Sequence, residues 1–207
     1  DNRLKLEEAE KKFGVPPEII TAIIGVETFY GRNSGNYRVI DSLSTLAFHY
    51  PKRAAFFLSE LEHFLLLARE QNFDPEKLKG SYAGAMGMPQ FISSSYRNYA
   101  IDFDNDNVAD IWHNPDDVIG SVANYFFEHG WKNNEPIISK VMIEGSLYKN
   151  ILDKSLELII NRTDLKKYGI LTNLDFHDYE KLKLFEFKLE NSSEFWLAQK
   201  NLSLIHI

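Results

Sequence analysis

The sequence contains no cysteine. That excludes disulfides, thiolate metal sites and cysteine nucleophiles together. No apolar run is long enough to span a bilayer. No n-region, h-region and cleavage site can be picked out at the start, which is Asp1. A basic excess is missing too. The 207 residues carry a formal net charge of −7, so a broad nucleic-acid-binding footprint is excluded. Several motifs are also absent. No G-x-G-x-x-G dinucleotide fingerprint, no phosphate loop with G-K-[ST] and no G-x-S-x-G nucleophile elbow occurs. The six histidines, His49, His63, His113, His129, His177 and His206, form no H-x-x-x-H or other zinc spacing and read as ordinary surface or core residues.

What is present is ordinary globular material, 44% hydrophobic and 26% charged, enough for one substantial core. Texture changes near Lys132-Asn133-Asn134-Glu135-Pro136, where helices and Gly/Ser/Asn loops give way to a stretch rich in Lys, Leu and Ile. This places a boundary after residue 134. Before it, Pro16-Pro17 opens a helix through Ile19, Ile20, Ile23 and Ile24 that Gly31 can close. Ala54 to Glu70 puts Phe57, Leu61, Phe64, Leu65 and Ala68 on one helical face. Asp74-Pro75 and Asn114-Pro115 both read as an N-cap followed by proline at the first helical position, the second opening a helix from Asp116 to His129 with Gly130 beyond it. After the boundary, Leu182, Leu184, Phe187 and Leu189 alternate across a phase shift at Phe185, a strand with a bulge, and Ile151 to Asn161 reads as a short helix. The class is mainly α (α+β), with a small mixed lobe.

Three features carry chemistry. Helical steps of three and four from Ile20, Ile23 and Ile24 land on Glu27, near the C-terminal end of its helix. Apolar surroundings and the negative end of the helix dipole both disfavour the ionised carboxylate. A carboxyl held protonated near neutral pH is what a general acid needs. The alternative is that Glu27 turns to solvent or pairs with Arg32 or Arg38. Next, Gly80-Ser81-Tyr82-Ala83-Gly84-Ala85-Met86-Gly87-Met88-Pro89-Gln90-Phe91 is either a tight loop that lets a ligand approach the backbone or a plain turn between helices. Then Asp102, Asp104, Asp106 and Asp110 stand at positions 1, 3, 5 and 9 of an EF-hand-like loop, with the Val108 carbonyl at position 7. Position 6 is Asn107 where glycine is usual, and position 12 is His113 where a bidentate glutamate is usual. The loop reads as a structural calcium or sodium site spanning 102–113, or else as a solvated acidic loop. Phe29, Tyr30, Tyr37, Tyr82, Phe91, Tyr96, Tyr99 and Tyr125 lie near these motifs; aromatic platforms suit sugar faces as well as cores. Lys52-Arg53 after Pro51 offers charge to an anionic group, or is simply solvated.

Taken in order, Val15-Pro16-Pro17-Glu18-Ile19-Ile20, Ile24-Gly25-Val26-Glu27-Thr28, Tyr50-Pro51-Lys52-Arg53-Ala54, Leu78-Lys79-Gly80-Ser81-Tyr82-Ala83-Gly84-Ala85-Met86-Gly87, Pro89-Gln90-Phe91, the acidic loop and Ile119-Gly120-Ser121 to His129-Gly130-Trp131 resemble the membrane-bound lytic murein transglycosylase B family. Residues 189–201 resemble that family's later return segment, and 135–185 match it only weakly. The resemblance implies a lysozyme-like helical catalytic core over 1–134, a small α/β lobe over 135–190 and a segment, 191–207, returning to the core. It implies cleavage of the β-1,4 bond between N-acetylmuramic acid and N-acetylglucosamine in peptidoglycan, leaving 1,6-anhydromuramoyl ends, with no cofactor for catalysis. Glu27 falls on the family's catalytic glutamate. Ser81, Gln90 and Tyr125 fall on groove-lining positions, Lys52-Arg53 on a basic pair near the groove, and the acidic loop on the metal loop, where a residue inserted around His113-Asn114 leaves the last ligand open. The expected partner is a peptidoglycan glycan strand, met by a monomer with no transmembrane segment. The expected setting is the periplasm, with outer-membrane association through a segment outside this chain, which reads as the core of a longer enzyme. A muramidase using water and a second carboxyl such as Asp41 or Asp102, a non-catalytic murein-binding module and a calcium-sensing module are the alternatives.

Overall fold

In the computed structural model, residues 2–133, 135–152, 158–174 and 181–203 are described. The chain divides between Trp131 and Lys132 into two compact units.

The first unit is helical: α1 (Arg3–Phe13), α2 (Pro17–Thr28), α3 (Val39–His49), α4 (Ala54–Glu70), α5 (Ser93–Tyr99) and α6 (Pro115–Glu128). A two-residue ribbon, β1 (Tyr37–Arg38) with β2 (Lys79–Gly80), runs antiparallel between them. α3 packs on α4, α4 on α5, and α6 on α1, α2 and α5. Pro17 opens α2, where its missing N–H costs nothing. Asn114 caps α6, its side-chain oxygen accepting from the Asp116 N–H at 3.1 Å. Phe57, Phe64, Leu67, Met86, Ile111, Ile119, Val122 and Phe126 are among the residues that fill the core. Trp131 is anchored there by donating from Nε1 to the Gly14 carbonyl at 2.8 Å. Gly120, mid-helix in α6, lies so close to the Phe103 ring that a Cβ would stand 2.5 Å from it.

Three expectations for this region are corrected. Gly31 does not close α2: Phe29 takes the left-handed conformation at φ 50°, its N–H bonding the Gly25 carbonyl. The Tyr30 N–H reaches Ile24 in the same turn. On α4 the buried face runs through Phe57, Glu60, Leu61, Phe64, Leu67 and Ala68, while Leu65 is exposed, because α3 and α5 cover a sector shifted from the predicted stripe. Asp74-Pro75 opens only a turn, with Asp74 Oδ1 accepting from the Glu76 N–H, before the chain enters β2. α3 has no N-cap or proline signal, and its start is fixed by the Val39 N–H bonding the Leu78 carbonyl beside the ribbon.

The second unit holds a five-stranded antiparallel sheet, in the order β4 (Ile160–Asn161), β6 (Lys181–Lys188), β7 (Ser193–Ala198), β3 (Ile138–Ile143), β5 (Ile170–Leu171). Its core joins Val141, Ile151, Ile160, Leu165, Ile170, Leu182, Leu184 and Leu197. The expected bulge at Phe185 is absent: β6 and β7 pair residue for residue from Lys183–Ala198 to Lys188–Ser193. The phase shift instead marks where the strand leaves its cover, since Phe187 and Leu189 are exposed. The helix expected over 151–161 is not formed at its ends: Leu147–Ile151 is a 3₁₀ turn and Ile160–Asn161 is strand β4, while residues 153–157 lie outside the described residues. His177 and His206 lie outside them as well. The segment from 191, expected to return to the core, supplies β7 and the short helix α7 (Lys200–Ser203) to this unit. There the buried Asn201 side chain accepts from the Lys132 N–H and donates to the carbonyls of Lys132 and Glu135.

Candidate active site

Glu27 stands in the last turn of α2. The buried positions of that helix are Ile20, Ile24 and Thr28, so Glu27 flanks the apolar stripe and does not lie on it, correcting the periodicity reading. Its carboxyl is open to solvent on one side. Surrounding protein still desolvates it enough to hold its pKa above the ordinary carboxylate value. Among the described residues it makes no hydrogen bond or ion pair. The two arginines considered as partners are engaged elsewhere: Arg38 with Asp41 at 2.7 Å, and Arg32 over the Phe29 ring.

The next residue, Thr28, ties this helix end to the glycine-rich loop. Its buried hydroxyl donates to the Met88 carbonyl at 2.9 Å and accepts from the Gly31 N–H at 2.9 Å. The loop 80–91 is itself a closed structure. Met86 and Phe91 exchange backbone hydrogen bonds, and the Ser81 N–H bonds the Ala85 carbonyl. The Ser81 hydroxyl accepts from the Ala85 N–H at 3.0 Å, which leaves its own proton to donate. Gln90, at φ 54°, spends its amide N–H groups on the carbonyls of Gly87 (2.9 Å) and Ser34 (3.2 Å), leaving Oε1 as an acceptor. Gly35 sits at φ 93° against Gly80, where a Cβ would come within 2.1 Å of the Gly80 carbonyl oxygen, so only glycine lets the loop after α2 lie on the loop after β2. Tyr125, on α6, packs its ring on Phe91 at 5.5 Å between centroids.

Glu27, Ser81, Gln90 and Tyr125 are thus carried by one connected frame, through Thr28–Met88, Gln90–Ser34 and Phe91–Tyr125. Lys52 and Arg53 form an exposed 3₁₀ turn ahead of α4, with Arg53 over the Phe56 and Phe57 rings. Among the described residues no side-chain hydrogen bond or ion pair joins them to that frame.

The carboxyls considered as a second catalytic group are both committed. Asp41 pairs with Arg38, and Asp102 accepts the N–H groups of Asp106 and Asn107. Asp102, Asp104 and Asp106 converge with Asp117, their carboxylate oxygens lying within 4.8 Å of one another. Asp117 is buried in the first turn of α6 and was missed from the sequence because Asn114-Pro115 made that turn read purely as a helix start. It accepts from the Phe103 N–H (2.7 Å) and the Asp110 N–H (2.8 Å), while burial pushes its pKa up. Asp110 turns away, accepting from the N–H groups of Trp112 and His113. Asn114 donates to Asp104 at 2.9 Å. Four converging carboxylates are an oxygen-only donor set, which suits a hard cation.

A mainly helical core that sets one carboxyl, raised in pKa, beside a glycine-bearing loop and an aromatic wall has the lysozyme-like α+β fold of the lytic transglycosylases. Residues 1–206 match the transglycosylase SLT domain family, and the chain belongs to that family. It is 41% identical over 196 residues to membrane-bound lytic murein transglycosylase B of Escherichia coli K12, covering 95% of this chain and 53% of that protein. The chain therefore spans about half the length of that curated relative. Among solved structures it is similar to the soluble lytic transglycosylase SltB1 of Pseudomonas aeruginosa, with TM-score 0.92 and 48% identity, covering 99% of this chain and 68% of that one. It is also similar to Escherichia coli Slt35 in complex with calcium, with TM-score 0.88 and 38% identity, covering 98% and 64%. A third similar structure is Pseudomonas aeruginosa SltB3 in complex with NAG-NAM-pentapeptide, with TM-score 0.83 and 29% identity, covering 99% and 55%.

Proposed function

We propose that this chain carries the catalytic core of a lytic transglycosylase that cleaves the β-1,4 bond between N-acetylmuramic acid and N-acetylglucosamine and leaves a 1,6-anhydromuramoyl end. The observation that carries the reading is the single unpaired, partly desolvated carboxyl of Glu27 beside a loop locked to its own helix. Most hydrolases that invert or retain set two carboxyls across the bond, and the two candidates for a second one are already bound elsewhere. One carboxyl is sufficient when the nucleophile belongs to the substrate. Glu27, protonated, gives its proton to the glycosidic oxygen as the bond to C1 breaks. The substrate's N-acetyl carbonyl oxygen closes on C1 and holds the positive charge. Glu27, now a carboxylate, takes the proton from the muramyl 6-hydroxyl as that oxygen attacks C1, which returns the acid for the next cycle. Holding the hydroxyl in place makes this step unimolecular.

Ser81 donates to the substrate's amide, Gln90 Oε1 accepts from the glycan, and Tyr125 walls the groove. Lys52 and Arg53 meet anionic peptide groups. A calcium or sodium ion would be held by Asp102, Asp104, Asp106 and Asp117 with the Val108 carbonyl. Its role would be structural, tying the acidic loop to α6 and leaving the bond cleavage to Glu27. No described helix is long and apolar enough to cross a membrane. The substrate places the reaction in the periplasm, and the name of the Escherichia coli relative supports membrane association there.

The test is Glu27→Gln. The amide keeps the shape and loses the proton, so turnover of purified peptidoglycan falls to background while the variant still binds and sediments with it. Retained turnover would contradict the reading.

A further inference from the structure

Tyr125 is held by more than Phe91. Four residues on, at the end of α6, His129 lays its ring on the Tyr125 ring, 4.0 Å between centroids and 31° apart. His129 Nδ1 lies 2.7 Å from the Tyr125 backbone oxygen. A carbonyl oxygen only accepts, so Nδ1 carries the proton and donates. That bond fixes the imidazole on the last turn of its own helix and holds its plane against the phenol ring. Tyr99 closes the third side, edge-on to Tyr125 at 5.2 Å and 84°, and 4.8 Å from His129. The end of α5 is kept there because Asn124 Nδ2 donates to the Tyr99 carbonyl at 3.0 Å. Among the described residues the Tyr125 hydroxyl has no protein hydrogen-bond partner. A half-buried ring gripped on three sides with a free hydroxyl is a group set in advance for a polar ligand.

We infer that His129 is a positioning residue for the glycan, acting through Tyr125. The inference rests on the reading of Tyr125 as part of the sugar groove. With Phe91 and Tyr99, His129 removes the rotational freedom of the Tyr125 ring before substrate arrives, so the ordering cost falls on folding and not on binding. Side chains immobilised at an interface carry a cost that corresponds to about two- to ten-fold in affinity. The effect belongs in binding and KM, since His129 is argued to act on Tyr125 and not on the reacting atoms.

The experiment measures Kd for a defined N-acetylglucosaminyl–N-acetylmuramyl tetrasaccharide by calorimetry in a Glu27→Gln background, where no turnover intervenes. It measures kcat and KM separately in the active chain. His129→Ala is expected to raise Kd and KM about two- to ten-fold, with the loss falling on KM rather than kcat. His129→Phe keeps a stacking ring and is expected to recover most of the affinity, which also guards against a variant that simply folds poorly. Tyr125→Phe should weaken binding, and His129→Ala should add little on top of it. In the free protein, Tyr125 ring flips seen by NMR should quicken in His129→Ala. The inference is overturned if His129→Ala leaves Kd unchanged while Tyr125→Phe weakens it. It is overturned equally if the two effects simply add, or if Tyr125→Phe has no effect. The proposed function fails separately, through retained turnover in Glu27→Gln.

Discussion

Thr28→Val should destabilise the first unit although it places a more apolar side chain at a fully buried position. Valine matches threonine in shape, so the packing is nearly unchanged and the loss is confined to the hydroxyl. That hydroxyl serves the Met88 carbonyl and the Gly31 N–H, both at 2.9 Å, and both of those residues are only half-buried. Leaving a buried group unpaired costs about 1–3 kcal/mol. With water partly replacing the lost partners, the low end applies to each, giving a total of about 2 kcal/mol. For a unit of this size that corresponds to a fall in Tm of about 8 °C. Thr28→Ser keeps both bonds and loses one methyl, about 1 kcal/mol. The expected order of stability is therefore wild type, then serine, then valine, the reverse of the order of hydrophobicity for the two variants. Thermal and urea unfolding followed by tryptophan fluorescence reads this, since Trp112 and Trp131 both lie in the first unit. Activity should follow the same order, because the hydroxyl holds the helix of Glu27 to the loop bearing Ser81 and Gln90. A valine variant at least as stable as the serine one would refute the coupling between helix end and loop.

The other predictions are these. The folded-state pKa of Glu27 lies above its unfolded value, so the folded chain holds an extra proton in the window between them and stability falls as pH rises through it. Removing the titration with Glu27→Gln should give a Tm above wild type on the alkaline side of that window, and wild-type turnover should decline on that same side as the protonated acid is lost; thermal melts and a pH–rate profile check both. Calcium at about 100 times its Kd should add about 2.7 kcal/mol to the first unit's stability, and Asp104→Ala should remove that increment; melts unmoved by calcium and by sodium alike would end the metal reading. Gly35→Ala should lower stability by about 2 kcal/mol or more, from the left-handed penalty and the contact with Gly80, with an unchanged Tm contradicting the loop packing.

Much of this molecule was legible in its sequence because the signals were local. Pro17 and Asn114-Pro115 mark helix starts by chemistry confined to one turn, and α4 runs over the residues its apolar spacing named. The helical position of Glu27 is legible in the spacing, and its raised pKa has the expected cause, burial, although the side chain sits at the edge of the apolar stripe. What stayed hidden depends on distant partners. Thr28 meets Met88 across sixty residues of chain. Glu60, a charged residue on the predicted apolar face, is buried because Ser94 gives it both an N–H and a hydroxyl. Asp117 belongs to the acidic cluster only because α6 starts beside the loop, and a search confined to EF-hand spacing could not reach it. The strand β4 is two residues long and exists through its pairing with β6, which no window over 151–161 could register.

The central claim is that one carboxyl and an internal hydroxyl cleave the glycan without water. Mass analysis of the products from purified peptidoglycan tests it most directly. Muropeptides lighter by one water than their hydrolytic counterparts are expected from wild type and not from Glu27→Gln. Products carrying only reducing ends would contradict it.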